Sequence, residues 1–169
     1  MHKRAYKYLA SHGVRDDVTV FEFGSRNING TARDHWPNAN WTGIDLYEGP
    51  GVDIVADIFE LIQSNDWRLN KVLESADLVV CAEMAEHCNR WNELSGVAFS
   101  LLKKSGKYLG TAAGTQRKPH SAVDGGRLRP GEYYGNISAS DMLNSLHGAG
   151  FQFASVVEVA DDIQWYAIK

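Results

Sequence analysis

The 169-residue chain has the composition of an ordinary globular protein, with 44% hydrophobic and 22% charged residues. Its formal net charge of −4 argues against a broad phosphate-binding face. The two cysteines, Cys81 and Cys88, match neither a disulfide framework nor a CxxC zinc site, and reduced thiols point to the cytoplasm. We expect a single domain over residues 1–169, without a signal peptide, a membrane span or a membrane partner.

The first elements in chain order are a short helix over 4–13 and a strand of β-branched and aromatic residues over 18–23. Gly24 ends this strand, and Asn27, Asn29 and Gly30 tolerate positive φ. The pattern predicts a tight turn whose backbone N–H groups face a ligand. A strand, such a turn and a helical piece form the cofactor-binding corner of a doubly wound sheet.

The middle of the chain alternates between short strands and apolar-periodic segments. A helical piece over 31–36 ends at Pro37, and strands follow at 41–46, with Asp45 near its carboxyl end, and at 52–56, just before Asp57. A broken crossover helix is predicted over 58–73. The near-continuous apolar run over 77–82 then predicts a strand that is buried on both faces.

The second half predicts one more crossover and a terminal hairpin. A helix capped by Asn89 is expected to close at Lys103, Lys104 and Gly106, before a strand over 107–113. Residues 114–137 lack periodicity, and so long a loop is usually functional. The remaining predicted elements are a helix opened by the Ser138/Asp141 capping box and ending near Gly150, and strands over 151–159 and 163–168.

These elements predict an α/β fold: a Rossmann-like, doubly wound, mostly parallel seven-stranded sheet with a C-terminal antiparallel hairpin. Ligands of such sheets bind outside the carboxyl ends of the strands. Gly24–Gly30, Asp45, Asp57 and the segment Glu83–His87 all follow strand ends. An acid at the end of the second strand typically accepts hydrogen bonds from a ribose diol, which indicates a nucleoside cofactor.

The order and spacing of these motifs resemble the class I S-adenosylmethionine-dependent methyltransferases over roughly residues 18 to 113. The matching motifs are Glu22-Phe-Gly24 with the turn to Gly30, Gly43-Ile-Asp45, Val55-Ala-Asp57-Ile58, the strand to Ala82 with Glu83 and Glu86-His87, and Leu101 to Leu109. The loop at 118–135 further resembles small bacterial and bacteriophage methyltransferases. Ser25, Arg26 and Asn27 depart from the family, which usually has two more glycines there. S-adenosylmethionine has no pyrophosphate, so this departure is compatible with it.

The resemblance implies S-adenosylmethionine as the cofactor and assigns residues to its parts. Gly24 and Ser25 would line the methionine part, Arg26 and Asn27 would also contact the cofactor, and Glu22 would orient the first loop. Asp45, followed by Leu46, would hold the ribose hydroxyls, Asp57 and Ile58 would address the adenine, and Glu83 would lie near the sulfonium. Asp57 could equally cap the next helix.

Methyl transfer to a hydroxyl benefits from a general base, and His87 and His120 are the two candidates. The loop 114–137 is expected to cover the acceptor, with Asp124, Arg127, Arg129, Tyr133 and Tyr134 as lid residues. Scattered carboxylates and the absence of a histidine pair at ligand spacing predict no metal site.

The expected reaction is O-methylation of a small-molecule or glycan acceptor. A nucleic-acid methyltransferase is disfavoured because the segment after the fourth predicted strand, Ala82-Glu83-Met84-Ala85, has no Pro-Pro-aromatic run, and neither cysteine follows a proline. Three other functions stay open: a nucleic-acid methyltransferase, a nucleotide-dependent enzyme of another class, and a non-catalytic interaction module that binds the cofactor or has lost it.

Overall fold

A computed structural model describes residues 1–13, 15, 17–64 and 73–169. The strands of its single seven-stranded sheet lie in the order β3-β2-β1-β4-β5-β7-β6. Strands β1 to β5 are parallel, and β7 pairs antiparallel with both β5 and β6. Their bounds are β1 Thr19–Phe23, β2 Asn40–Asp45, β3 Ile54–Val55, β4 Ala76–Ala82, β5 Leu102–Ala113, β6 Phe153–Val159 and β7 Asp162–Ile168. The predicted fold class is confirmed.

The described α-helices cover the two faces of this sheet. They are α1 Lys3–Ser11, α2 Ile58–Gln63, α3 Leu94–Leu101 and α4 Ala139–Ala149, with 3-10 turns at Ala32–His35, Ala85–His87 and Trp91–Glu93. Part of the predicted crossover, residues 65–72, lies outside the described residues. None of the described helices has the length and apolar content needed to cross a membrane.

Alternating side chains of the central strands build a core on each face. Phe21 and Phe23 of β1 pack with α2, α3 and α4, whereas Val18 and Val20 pack with α1 and Trp36. This two-sided burial explains why β1 and β4 are nearly continuous apolar runs. The alternation also places Glu22 on the face that Val20 occupies, beneath the first loop.

The boundary between α3 and β5 differs from the prediction. Helix α3 ends at Leu101, and β5 begins at the next residue, with Leu102 fully buried and paired with Ala76. The pairing register shifts between Ala76 and Leu78, and Ser105 takes up a φ of 65° in the bulge. Lys103, Lys104 and Gly106 therefore belong to an irregular strand start, because burying Leu102 favours strand pairing over another helical turn. Asn89 precedes a 3-10 turn and is not the cap of α3.

The last helix and the terminal hairpin agree more closely with the prediction from sequence. Ser138 caps α4 by accepting a hydrogen bond from the backbone of Asp141, and Gly150 ends the helix with a φ of 103°. The Asp141 carboxylate accepts from the Ser138 hydroxyl at 2.6 Å, so only half of the predicted reciprocal capping box forms. The hairpin of β6 and β7 turns at Ala160 and Asp161, one residue earlier than predicted.

Candidate active site

A cavity of about 1070 Å³ opens at the carboxyl ends of β1, β2 and β4. Its walls come from the first loop over 24–30, the end of β2, the start of α2, the segment after β4 and the loop after β5. Pockets for single small ligands usually occupy about 300–1,000 Å³. The cavity is thus large enough for a nucleoside together with a second small molecule.

The backbone of the first loop is tied to neighbouring protein groups, contrary to the prediction that its N–H groups face a ligand. Gly24 and Ser25 donate to the carbonyl of Ile44 at 2.9 and 3.2 Å. Arg26 N–H donates to the Asp45 carboxylate at 3.1 Å, and Asn27 N–H donates to the Pro50 carbonyl at 2.8 Å. These four donors hold the loop against the end of β2 and are not free for an anionic ligand.

The turn itself is shaped by Gly24, which has a φ of 68°. A Cβ atom there would lie 2.5 Å from Cγ of Met84, so the position has no space for a side chain. Asn27 and Asn29 do not adopt the positive φ that the sequence allowed. The Asn27 side chain accepts from the backbone of Gly30 at 2.8 Å instead, which closes the loop.

Asp45 lies at the cavity wall with its carboxylate only partly used. One oxygen accepts from Arg26 N–H and the other from Tyr47 N–H at 3.0 Å, and a carboxylate offers about four acceptor sites. Leu46 and Tyr47 line the same wall with 60% and 59% of their surfaces exposed. A ligand with a diol and an apolar ring would match this combination of acceptor and apolar surface.

Asp57 caps the helix that follows it. Its carboxylate accepts from the backbone of Phe59 at 2.8 Å at the start of α2, which is the helix-capping alternative that the sequence left open. Ile58 is buried in the core. Both residues still line the cavity, so the capping contact does not remove Asp57 from the site.

Glu22 is an acid buried at the cavity floor. Burial raises its pKa to about 8, against the lowering effect of Arg33. Arg33 Nε lies 4.0 Å from the carboxylate, and Glu22 Oε2 has no hydrogen-bond partner among the described residues. The unpaired oxygen gives the site an acceptor for a donor group of a ligand.

Glu83 occupies a bend after β4 with a φ of 58°, an uncommon conformation for this residue type. Its carboxylate accepts from Thr111 Oγ1 at 2.8 Å and lies 3.0 Å from His2 Nε2 and 3.2 Å from an Arg117 nitrogen. Burial by itself would raise the Glu83 pKa. The His2 hydrogen bond and the charges of His2 and Arg117 outweigh burial, so the Glu83 pKa lies below its ordinary value. Glu83 therefore anchors a charged network.

The same network includes Asp162 at the start of β7, which is 1% exposed. Arg4 donates to it at 2.5 Å, and Arg117 forms a further close ion pair with it. His2, Glu83 and Asp162 have the ligand types and spacing of a metal site, but two arginines already neutralise the two carboxylates. The network joins α1, the bend after β4, the loop after β5 and the last hairpin.

His87 and His120 meet at one end of the cavity although 33 positions separate them. Their Nε2 atoms lie 3.3 Å apart, and Tyr134 packs edge-on against both rings. Burial, followed by the neighbouring His120, lowers the pKa of His87 to about 4. His87 is therefore neutral at pH 7 and weakly basic, whereas a general base works best with a pKa near the working pH.

The loop over 114–137 contains turns and bends, in agreement with the prediction that it has no helix or strand. It is pinned at its end, where Gly135 N–H donates to the Glu86 carbonyl at 2.8 Å and Ile137 N–H donates to the Ala113 carbonyl at 3.0 Å. Of the predicted lid residues, Arg129 and Tyr133 line the cavity, whereas Asp124, Arg127 and Tyr134 do not.

Several side chains that shape the site had little signal in the sequence. Met84 packs on Gly24, Arg33 lies beside Glu22, and Arg117 pairs with Glu83. The two partners in each of these contacts come from separate segments of the chain, and no sequence motif pairs them. Only Arg117 could have been suspected, because it is a cation in the long loop that the sequence already marked as functional.

No protein-family model matches the sequence, and no curated protein matches it. The fold is similar to that of 1,6-didemethyltoxoflavin-N1-methyltransferase from Burkholderia thailandensis, solved with its acceptor and S-adenosylhomocysteine. The TM-score is 0.68 at 14% identity, covering 99% of this chain and 77% of that one. A protein from Listeria monocytogenes, considered a candidate S-adenosylmethionine-dependent methyltransferase, gives a TM-score of 0.66 at 16% identity, covering 97% of each chain.

Larger proteins contain the same fold as a part. PigF with S-adenosylhomocysteine gives a TM-score of 0.59 at 12% identity. The aligned region includes 96% of this chain and 53% of PigF. This chain thus spans about half the length of PigF. At these identities the similarity establishes the fold alone. The chain has the fold of the class I S-adenosylmethionine-dependent methyltransferases.

Proposed function

We propose that this chain is an S-adenosylmethionine-dependent methyltransferase. The observation that carries the proposal is the character of the cavity wall at the ends of β1 and β2. It offers carboxylates at Glu22 and Asp45, while the N–H groups of residues 24–27 are already engaged. S-adenosylmethionine has an ammonium, a sulfonium and a ribose diol, which are served by acceptors. A dinucleotide would need free N–H donors for its pyrophosphate.

Several parts of the cofactor have a matching group in the wall. Asp45 has spare acceptor sites for the ribose hydroxyls, and Leu46 and Ile58 supply apolar surface near the adenine. The orphaned oxygen of Glu22 would accept from the ammonium and become ionised as it does so. Gly24 and Ser25 give the methionine part close access to the strand end.

The acceptor would bind beside His87, His120 and Tyr133, which line the opposite side of the cavity. The cofactor supplies a methyl group that its sulfonium already activates. The chain then mainly has to align the acceptor and exclude water. We favour a hydroxyl of a small molecule or glycan, since the net charge of −4 is unfavourable for nucleic acid.

Calorimetry on the purified full chain tests the proposal with S-adenosylmethionine, S-adenosylhomocysteine and NAD as separate ligands. We expect one equivalent of either sulfur nucleoside to bind and NAD to bind at least about tenfold more weakly, a difference of about 1.4 kcal/mol. Preferential binding of NAD would instead support another nucleotide-dependent enzyme. Absence of binding by both sulfur nucleosides at millimolar concentration would overturn the proposal.

A second measurement addresses the non-catalytic alternative. The chain is incubated with methyl-labelled S-adenosylmethionine and separate pools of small molecules, oligosaccharides, RNA and DNA. Transfer of label to a hydroxyl in one of the first two pools is the expected result. Label in nucleic acid would contradict the acceptor class, and cofactor binding without transfer to any pool would favour an interaction module.

A further inference from the structure

Three potential metal ligands converge beside the acceptor end of the cavity. The Nε2 atoms of His87 and His120 lie 3.3 Å apart, and a carboxylate oxygen of Glu86 lies within 4.8 Å of the ligand nitrogens of both residues. Glu86 and His87 come from the 3-10 turn after β4, and His120 comes from the loop after β5. Sequence spacing could not predict this cluster because the loop path decides it.

The separation of the two nitrogens matches that of two ligands on one metal ion. Imidazole nitrogens bind zinc at about 2.0–2.1 Å, so two of them on a tetrahedral ion lie about 3.3–3.4 Å apart. The observed 3.3 Å is this distance. Two rings in a hydrogen bond could adopt the same separation, and the nearby buried carboxylate of Glu86 favours the metal-ligand interpretation.

Glu86 is fully buried, and among the described residues no side chain and no well-formed hydrogen bond reaches its carboxylate oxygens; only the backbone N–H groups of Glu86 and Ala113 approach them. Burying an ionised carboxylate without a partner is costly, so such a group takes up a proton unless it pairs with a cation or coordinates a metal. Glu83, three positions earlier, has its own partners in Thr111, His2 and Arg117. The unpartnered carboxylate that faces the histidine pair is thus specifically that of Glu86.

We propose that Glu86, His87 and His120 bind a divalent transition-metal cation such as Zn²⁺, Co²⁺ or Mn²⁺. Two imidazoles and one carboxylate suit these ions better than Mg²⁺ or Ca²⁺, which favour ligand sets made of oxygen. Three protein ligands leave at least one coordination position open, as in catalytic metal sites. His87 and His120 line the cavity, so the open position faces the proposed acceptor space.

The consequence for chemistry rests on the proposed function. A hydroxyl of the acceptor bound at the open position would lose its proton to solvent water more readily, because the cation stabilises the oxyanion. The oxygen then forms a bond to the methyl carbon as the carbon–sulfur bond breaks, and that electron pair stays on sulfur. The products are a methyl ether, S-adenosylhomocysteine and one proton. This assigns the two histidines a ligand role in place of the general-base role.

The test uses the full chain after chelator treatment and desalting. Co²⁺ binding is followed by visible absorption and Zn²⁺ binding by calorimetry, for the wild type and for Glu86→Gln, His87→Gln and His120→Gln. The control is His147→Gln, since His147 is an exposed residue on α4, away from the cluster. Circular dichroism verifies folding, and Glu86→Gln keeps the side-chain volume while removing the ionisable carboxyl group.

We expect one equivalent of metal for the wild type and for His147→Gln. Each of the three ligand variants should bind more weakly by more than about tenfold, because even residues behind the ligands commonly contribute 10–100-fold. Absence of one-to-one binding by the wild type would overturn the proposal. Wild-type affinity in a folded Glu86→Gln or His120→Gln protein would overturn it as well and support a simple histidine–histidine hydrogen bond.

S-adenosylhomocysteine affinity, measured on the same samples, separates this site from the proposed function. The ligand variants should keep wild-type affinity for the nucleoside, because none of the three residues belongs to the proposed cofactor wall. Metal binding without nucleoside binding would support the cation site and overturn the methyltransferase proposal. Nucleoside binding without metal binding would support the methyltransferase proposal and overturn the cation site.

Discussion

Gly24 and Met84 are packed so closely that a Cβ atom on Gly24 would lie 2.5 Å from Cγ and 2.6 Å from Cβ of Met84. Gly24 ends β1, and Met84 follows β4, so this contact joins the first loop to the segment that carries Glu86 and His87. Two requirements therefore meet at Gly24: a φ of 68° and the absence of a side chain.

Gly24→Ala should lower the free energy of unfolding by about 2–4 kcal/mol, from strain at positive φ and from overpacking against Met84. Urea unfolding measures the effect. Gly148→Ala is the matched control: a Cβ atom on Gly148, in helix α4, would have no neighbour within 4 Å, so this variant should be stabilised by up to about 1 kcal/mol. Met84→Ala should rescue Gly24→Ala only in part, because it removes Cγ but leaves the Met84 Cβ contact and the positive φ. A complete rescue would show that the Met84 atoms beyond Cβ cause all of the strain.

Asp45→Ala should weaken binding of S-adenosylhomocysteine about 10–100-fold, the equivalent of losing charge-assisted hydrogen bonds of about 1.5–3 kcal/mol. Asp45→Asn keeps one acceptor oxygen and should have an intermediate effect. Asp34→Ala, at an exposed position outside the cavity, serves as the control in the same calorimetry. Unchanged affinity in a folded Asp45→Ala protein would exclude Asp45 as the ribose ligand.

Glu22 should make stability fall as the pH rises. Its folded pKa of about 8 exceeds the unfolded value of 4.5, so the folded state holds a proton that the unfolded chain releases in this interval. The Glu22 contribution is therefore complete below pH 4.5 and is lost as the pH rises through about 8. Glu22→Gln should reduce this fall by an amount on the order of a few kcal/mol.

Denaturant titrations at pH 5, 6.5 and 8 measure the Glu22 effect. Some slope should persist in metal-free Glu22→Gln, because burial also raises the pKa of Glu86 to about 8. Glu158→Gln, at an exposed position on β6, should leave the wild-type slope unchanged. An identical slope in Glu22→Gln and the wild type would mean that Glu22 is ionised in the folded protein.

Arg117→Gln should lower the free energy of unfolding by about 2–4 kcal/mol, because it removes a cation from the buried carboxylates of Glu83 and Asp162. Arg129→Gln is the matched control from the same loop. Its partner Asp124 has a half-exposed side chain, and such pairs contribute about 0–1 kcal/mol. Thermal or urea unfolding gives both values, and equal effects of the two variants would contradict the role assigned to the network.

Much of the fold could be predicted from local sequence. Apolar-rich runs in 18–23 and 77–82 indicate strands that are buried on both faces, and the acids at 45 and 57 lie at or just after strand ends as expected. Boundaries were less accurate where burial competes with a local signal. Lys103, Lys104 and Gly106 have the character of a helix end, yet burial of Leu102 starts β5 before them.

The candidate site was predictable only in part, because local sequence does not determine how separate elements pack together. The position of Asp45 at the cavity wall was predictable, because two short elements fix its distance from β1 and the parallel sheet aligns the strand ends. The partners of Glu22 and Glu83 come from Arg33 and Arg117, whose positions depend on packing between elements. Whether the loop N–H groups are free was also undecidable from sequence, since their acceptors belong to β2 and the turn after it.

By itself the sequence determined the order of strands and helices, the two-sided burial of the central strands and the acids that follow strand ends. Periodicity and residue type act over a few neighbouring residues, so these properties are encoded locally. The tertiary structure alone decided that Glu86, His87 and His120 converge, and that two arginines close the network at Glu83 and Asp162. Those contacts depend on the adjacency of β4, β5 and β7 and on the path of the loop after β5, which bring together residues far apart in sequence.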